Sequence, residues 1–331
     1  MITFFGIPKA FRGHNAMIQY NAIRSWALLR EALSPRGQIV LCGDEHGLAE
    51  VAESVGALHL PEITKSAYGT PLLSDAFRRV VEAADHELLC YLNADIILTP
   101  AFLEVATRLY GLVGEAEFLA VCRRWTIDVQ EELAFEAGWE HQLASMADIP
   151  DSPNGIDLFL FPCRSPQASP PPFVVGRPGW DRWMIYEALR RSVPVIDLSE
   201  CLQLLHQRHD YAHVPRAKGN QWEGPEAKLN RRLVGSRFRE YSIADATHKL
   251  LSTGELVPSR NPREGSVVFC LRRWFARYPR RTRLIQAVCV PLLYAEKVAH
   301  SPRVVAYIEA SRVRRRLRRW LIDPLLGASK L

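Results

Sequence analysis

The sequence predicts an α/β fold: a mixed, mainly parallel sheet with helices on both faces, followed by a basic helical C-terminal extension. Three observations carry that expectation. Short apolar runs alternate with amphipathic helical stretches through residues 1–125, the pattern of strands joined by crossover helices. Helix start and stop signals fall between the runs: a glycine ends 48–56, and prolines open the helices at 71 and 100. Charge is split along the chain: residues 260–331 hold 17 basic and 4 acidic residues, a net of +13, leaving 25 basic against 32 acidic, a net of −7, in residues 1–259.

The elements follow in order. ITFFGI (2–7) reads as a strand. NAMIQYNAIRSWALLREAL (15–33) places Ile18, Ala22, Trp26 and Leu29 at helical spacing. QIVLC (38–42) is a second strand, LAEVAESVG (48–56) a helix ending at glycine, and ALHLP (57–61) a short third strand. Thr70-Pro71 has the form of an N-cap and first helical residue, opening a helix over 71–84. HELLCYL (86–92) is the fourth strand, Pro100 opens a helix to about Tyr110, and EFLAVCRRW (117–125) is the fifth strand. Beyond it come a strand at 156–162, the proline-rich loop 165–172, a helix at 179–191, a strand at 193–198, and helices at 225–234 and 242–252. PSRNPREG (258–265) is a turn-rich linker. The expected domains are residues 1–257, divided into halves at 1–125 and 126–257, and an extension over 258–331.

Composition narrows the class. A chain of 331 residues with 48% hydrophobic and 24% charged residues is ordinary for a globular protein. The seven cysteines form no zinc or redox spacing, so reduced thiols in a cytoplasmic protein are expected. MITFFGIPKAF has neither a basic n-region nor a long apolar core, so no signal peptide is expected. No stretch reaches the ~18 apolar residues of a membrane span.

The sharpest local feature is ELLCYLNADIILTP (87–100), where Asn93-Ala94-Asp95 interrupts an apolar run. A buried carboxylate without a partner is costly, so Asp95 should be paired or face a cleft at the strand's end. Open α/β sheets bind ligands beyond the carboxyl ends of their strands. Mg²⁺ and Mn²⁺ take one or two protein carboxylates and complete their shells with water and phosphate oxygens. Asp95 is therefore a candidate metal and diphosphate ligand; a helix cap or Asx turn would also account for it.

The segments PKAFRGHNAMIQYNAIRSW, YGTPLL, LLCYLNADIIL, RRW, NGIDLFLFP, GRPGWDRWMIY and HQRHDYAH, in this order, resemble GT-A-type (Rossmann-like) nucleotide-sugar glycosyltransferases of bacteria and plants, family 2-like, over residues 1 to about 250. The resemblance implies a nucleoside diphosphate sugar donor, with a UDP-sugar the first choice, and a divalent metal, Mn²⁺ or Mg²⁺. The acceptor it implies is a glycan or a lipid-linked molecule. Where that family carries Asp-X-Asp after the fourth strand, this chain has Asn93-Ala94-Asp95. Pro8 and the loop through Arg12 would lie against base and ribose. Asp44 would accept from a uracil N–H or a ribose hydroxyl, or serve only as a turn residue. Tyr68-Gly69-Thr70 precede a helix start suited to anions, although capping alone explains Thr70.

Asp157 stands alone among Ile, Leu and Phe, as a sugar-hydroxyl ligand or as the buried partner of Arg123 or Arg124; Arg124 is itself a substrate candidate. In GRPGWDRWM, Trp180 and Trp183 flank Asp181 and would offer faces to sugar rings. A desolvated Asp181 would be the general base, or else a helix cap above two core tryptophans. His206, His209 and His213 could form a zinc face on a helix, but CLQLL reads as a strand. His209 is the preferred single metal ligand and His206 the second. Trp222-Glu223 form either a lid or a fixed loop.

In the tail, Val313, Leu317, Trp320 and Leu321 make an apolar stripe among arginines, suited to an anionic membrane surface. RNA binding and docking on the acidic body are the competing readings; nucleic acid is not the expected partner. The sequence thus predicts a cytoplasmic glycosyltransferase, peripheral on the inner membrane face. The alternatives are a noncatalytic nucleotide-sugar-binding or scaffold protein and a nucleotidyltransferase, the last lacking a glycine-rich phosphate loop around Lys9 and Arg12.

Overall fold

The computed structural model describes residues 2–147, 149–209, 222–235, 239 and 241–259, all within one unit, Met1–Ser259. The basic segment after 259, its amphipathic stripe and His213 lie outside the described residues.

The first half runs β1 (Ile2–Gly6), α1 (Gly13–Ala32), β2 (Gln38–Cys42), α2 (Leu48–Val55), β3 (Leu58–Leu60), α3 (Leu73–Ala83), β4 (Leu88–Leu92), β5 (Ile96–Ile97) and α4 (Ala101–Val113). The second runs β6 (Leu119–Ile127), α5 (Trp139–Ser145), β7 (Ile156–Pro162), α6 (Trp180–Arg190), β8 (Val195–Asp197), β9 (Leu204–Gln207), α7 (Pro225–Val234), β10 (His248–Leu250) and β11 (Leu256–Pro258). The main sheet has the order β11-β10-β8-β6-β7-β4-β1-β2-β3, with β9 bridging β5 and β6. β1 through β4 are mutually parallel, while β7 is antiparallel to both its neighbours, β4 and β6.

β1 and β4 are buried along their whole length, as strands covered on both faces must be. On one face Ile18, Ala22, Trp26 and Leu29 of α1 are buried, the four positions expected from helical spacing. Trp26 is fully enclosed and donates its indole N–H to the Ile96 carbonyl at 2.8 Å. Gly6 is required here: a Cβ would lie 2.9 Å from the Leu92 carbonyl oxygen. On the other face Phe5, Phe77, Tyr91, Phe159, Phe161 and Trp180 form a chain of ring contacts with centroids 4.9–6.2 Å apart.

Two expected helical features differ. Thr70-Pro71 is not a cap: α3 starts at Leu73, because Pro71 bridges to Lys65 and Leu72 to Val174. The helix expected over 242–252 is a single turn at Ile243–Asp245 followed by β10. The Ser242–Asp245 capping box does form. Thr247 then accepts from the Val195 N–H at 2.9 Å and donates to its carbonyl at 3.0 Å, zipping the segment to β8. Strand pairing overrides local helix propensity there.

β1 lies between β2 and β4. Chain connections leave β1 in opposite directions at this switch point, opening a crevice at the carboxyl ends of the two strands. Ile7-Pro8-Lys9 and Asn93-Ala94-Asp95 emerge into it.

Candidate active site

A cleft of about 650 Å³ opens at this switch point. Of the sequence candidates it gathers Pro8, Arg12, Thr70, Asn93, Asp95, Arg124, Asp157, Asp181, His206 and His209. Trp222 also lines it, with 60% of its surface exposed.

At the strand-tip wall, Asp95 is buried and its Oδ2 meets His209 Nε2 at 3.0 Å and His206 Nε2 at 3.9 Å. Its Oδ1 is buried with no hydrogen-bond partner. One ligand atom from each of Asp95, His206 and His209 lies within 4.8 Å of the others. An orphaned carboxylate oxygen beside two imidazole nitrogens is a donor set that fits a divalent cation. Burial acts to raise the Asp95 carboxyl, but His206, the His209 hydrogen bond and the nearby Lys9 charge outweigh it and hold the pKa well below the usual range. Burial pushes the His206 imidazole down, while Asp95 and Asp157 act to raise it. The Thr126 hydroxyl stands 3.4 Å from His206 Nδ1, leaving Nε2 toward Asp95.

A polar chain supports this wall. Asn93 Nδ2 donates to Asp157 Oδ1 at 2.5 Å, and its Oδ1 accepts from the Tyr91 hydroxyl at 3.2 Å. Arg124 donates to Asp157 at 2.8 Å and to Asp151 at 2.7 Å. Asp157 is thus the buried partner of Arg124 while lining the cleft. Gln207, next to His206, donates to the Ile18 carbonyl at 2.7 Å, accepts from Asn21 at 3.2 Å, and its backbone N–H reaches the Asp95 carbonyl at 3.1 Å. Those bonds tie β9, and with it His206, to α1 and the strand tip.

Asp181, which also lines the cleft, lies in the first turn of α6, after Gly179 with φ 104°. Its Oδ1 is also buried and without a hydrogen-bond partner. Loss of solvent, with a smaller push from Asp157, raises its pKa to about 6 against the pull of the Arg182 and Gly179 N–H groups. A carboxylate of that basicity is suited to take a proton near neutral pH.

Four expectations fare differently. Trp180 and Trp183 are core residues, 5% and 8% exposed. Trp180 packs edge-on to Tyr91 and Trp183 against Phe173, so neither turns a ring face to the cleft. Helical direction explains this: of the four residues Trp180 to Trp183, Asp181 is the one that lines the cleft. Asp44 is exposed and paired with Lys65, outside the cleft, where Glu45 stands instead. Tyr68 is 45% exposed and also outside, although its neighbours Gly69 and Thr70 line the cleft.

Sequence reasoning overlooked Lys9 as a central residue, and Gln19, Asp151, Arg177 and Glu226 altogether. Gln19 clasps the Lys9 backbone, accepting from its N–H at 2.6 Å and donating to its carbonyl at 3.0 Å. The available signal was Gln19 and Asn21 beside the apolar face of α1. Arg177 and Glu226 form a buried ion pair at 2.7 Å.

No family model and no curated protein matches the chain. Solved structures similar to it include Staphylococcus aureus TarS 1-349 in complex with UDP-GlcNAc, at 9% identity and TM-score 0.46 over 83% of this chain and 73% of that one. A second is the crystal structure of S. aureus TarS 1-349, 8% identical, TM-score 0.43, over 62% of this chain and 60% of that one. A third is Mycobacterium tuberculosis glucosyl-3-phosphoglycerate synthase in complex with Mn²⁺, UDP and phosphoglyceric acid, 14% identical, TM-score 0.38, over 63% and 72% of the two chains.

Proposed function

We propose that the chain is a GT-A-type glycosyltransferase that moves a sugar from a nucleoside diphosphate donor, a UDP-sugar first, to a hydroxyl of a glycan or lipid-linked acceptor. The observation that carries this reading is the pairing within one cleft of a cation-binding cluster, Asp95, His206 and His209, with a desolvated carboxylate, Asp181. The first suits a diphosphate leaving group and the second an acceptor hydroxyl. The base and ribose would lie by Pro8 and Arg12, and the sugar by Arg124 and Asp157. A bound cation would supply charge neutralisation for the departing diphosphate. Asp95 would hold it through its free oxygen, and the two imidazoles would make Mn²⁺ a better match than Mg²⁺, which prefers oxygen ligands. Asp181 accepts the acceptor's proton at a carboxylate oxygen, in an inverting transfer. The basic segment 258–331 is proposed to bring the enzyme to an anionic membrane surface, where each basic residue contributes about 1 kcal/mol.

A thermal-shift screen of nucleoside diphosphates and their sugars, with and without Mn²⁺, tests the reading. A ligand that binds the native state alone raises its melting temperature. The expected result is a rise with UDP-sugars that grows with Mn²⁺, together with slow release of UDP from the donor. Absence of any shift across the nucleotides would overturn it, and binding without donor cleavage would leave a noncatalytic module.

A further inference from the structure

Arg177, in the lining of the cleft, forms a buried ion pair that the proposed transfer does not use. Arg177 and Glu226 side chains are 7% and 1% exposed. Arg177 donates Nε–H at 3.0 Å and Nη2–H at 2.7 Å to a single oxygen of Glu226. The other oxygen accepts from Ser66 at 2.5 Å. The Arg177 backbone is pinned as well: Asn230, one turn along α7 from Glu226, donates to its carbonyl at 3.3 Å and brackets Val174 at 2.8 and 3.0 Å. Two segments, α7 and the loop at Ser66, thus fix the third, which carries the guanidinium.

That guanidinium lines the cleft. Of its five N–H groups, two serve Glu226 and one reaches the Gly176 carbonyl at 3.2 Å. Two remain. Lys9 lines the same cleft, its backbone clasped by Gln19. A buried ion pair is often no more stabilising than apolar packing of equal volume, so stability alone is a weak reason for this clamp. An arginine held rigid with spare donors suits bidentate recognition of an oxyanion, and a lysine beside it adds a point charge.

We propose that Lys9 and Arg177 form an anion subsite for a phosphate group of the substrate, with Glu226 as the positioning residue that aims Arg177. This rests on the transferase reading of the same cleft. The phosphate has two sources, the donor's diphosphate or a phosphorylated acceptor.

The test is calorimetric titration of the full chain and of Arg177→Gln, Arg177→Lys, Lys9→Met and Glu226→Gln with uridine, UDP and inorganic phosphate, the last with and without saturating UDP. If the phosphate is the donor's, Arg177→Gln and Lys9→Met weaken UDP about tenfold or more while uridine is unaffected, and UDP displaces inorganic phosphate. If it is the acceptor's, UDP affinity holds, and inorganic phosphate binds the UDP-loaded wild type but not the variants. Glu226→Gln should show part of the Arg177→Gln loss, and Arg177→Lys should recover part of it, a pattern that general loosening of the cleft would not produce. If UDP and phosphate bind every variant as they bind the wild type, the subsite is wrong. Should Arg177→Gln fail to fold, Arg177→Lys and Lys9→Met decide the same question. Phosphate binding through Arg177 without donor cleavage would sink the transferase reading alone. Donor cleavage indifferent to Arg177 and Lys9, with no phosphate site on the loaded enzyme, would sink the subsite alone.

Discussion

Asp95 and Asp181 line the same cleft, and both carry a buried oxygen without a partner. Their surroundings drive them apart. Asp95 leaves β4 among His206, His209 and Lys9, whose fields keep it ionised. Asp181 begins α6 above Trp180, where lost solvent outweighs two backbone N–H groups and lifts it to about 6. The same side chain thus has two different basicities in one cleft, as expected when two carboxylates sit in unlike environments, and the proposed cation-ligand and base roles follow that split.

The contrast can be broken by removing one charge at a time. Asp181→Asn is expected to retain donor binding and to lose ~10²–10⁴ in turnover, the usual contribution of a positioned base. Steady-state UDP release checks it, and turnover within a few-fold of wild type would make Asp181 structural.

In the Asp95 cluster, His206→Gln and His209→Gln should each weaken Mn²⁺ by ~10-fold or more while weakening Mg²⁺ less, since imidazole suits the transition metal. Titration of each ion in the presence of UDP reads this directly. Equal losses for both ions would remove the imidazoles from the metal's shell.

The raised pKa of Asp181 has a sign that can be tested twice. Activity should fall as pH drops below about 6, because the base is then protonated. For stability, the folded pKa lies above the unfolded one near 3.8. The folded state therefore holds the proton more tightly, and ionisation costs stability as pH rises between those values. Asp181→Asn should melt higher than wild type above pH ~6 and alike near pH ~4, by differential scanning calorimetry. A lower melting temperature at neutral pH would contradict the desolvated environment.

The smallest effect should come from Asp44. Exposed and paired with Lys65 outside the cleft, it should change UDP affinity by less than about threefold when replaced by alanine, the modest scale of an exposed pair. A loss beyond tenfold would return Asp44 to the nucleotide site.

The two carboxylate environments were not equally legible in the sequence. Strand alternation and the α1 stripe at Ile18, Ala22, Trp26 and Leu29 are periodic signals, and they led to the switch point and to Asp95. Asp181 stood out as a carboxylate in a glycine-rich turn. The flanking tryptophans misled, because adjacent aromatics advertise a sugar platform while helical direction sends them inward to Tyr91 and Phe173. The meeting of His206 with Asp95 depends on β9 pairing with β5 and β6, which is a matter of long-range register. The Arg177–Glu226 clamp joins residues 49 apart through two loops and a helix, with no local pattern to announce it. β7, antiparallel between two parallel neighbours, is likewise invisible to a reading by periodicity.

The proposed function divides donor binding at Asp95 from proton transfer at Asp181. Its most direct test is a side-by-side calorimetric titration of UDP with Mn²⁺ into wild type, Asp95→Ala and Asp181→Asn. The account predicts that Asp181→Asn binds within a few-fold of wild type, whereas Asp95→Ala loses ~10²-fold or more, a larger loss than for a residue that only supports a metal ligand. Equal affinity in all three proteins, or a greater loss in Asp181→Asn than in Asp95→Ala, would contradict it.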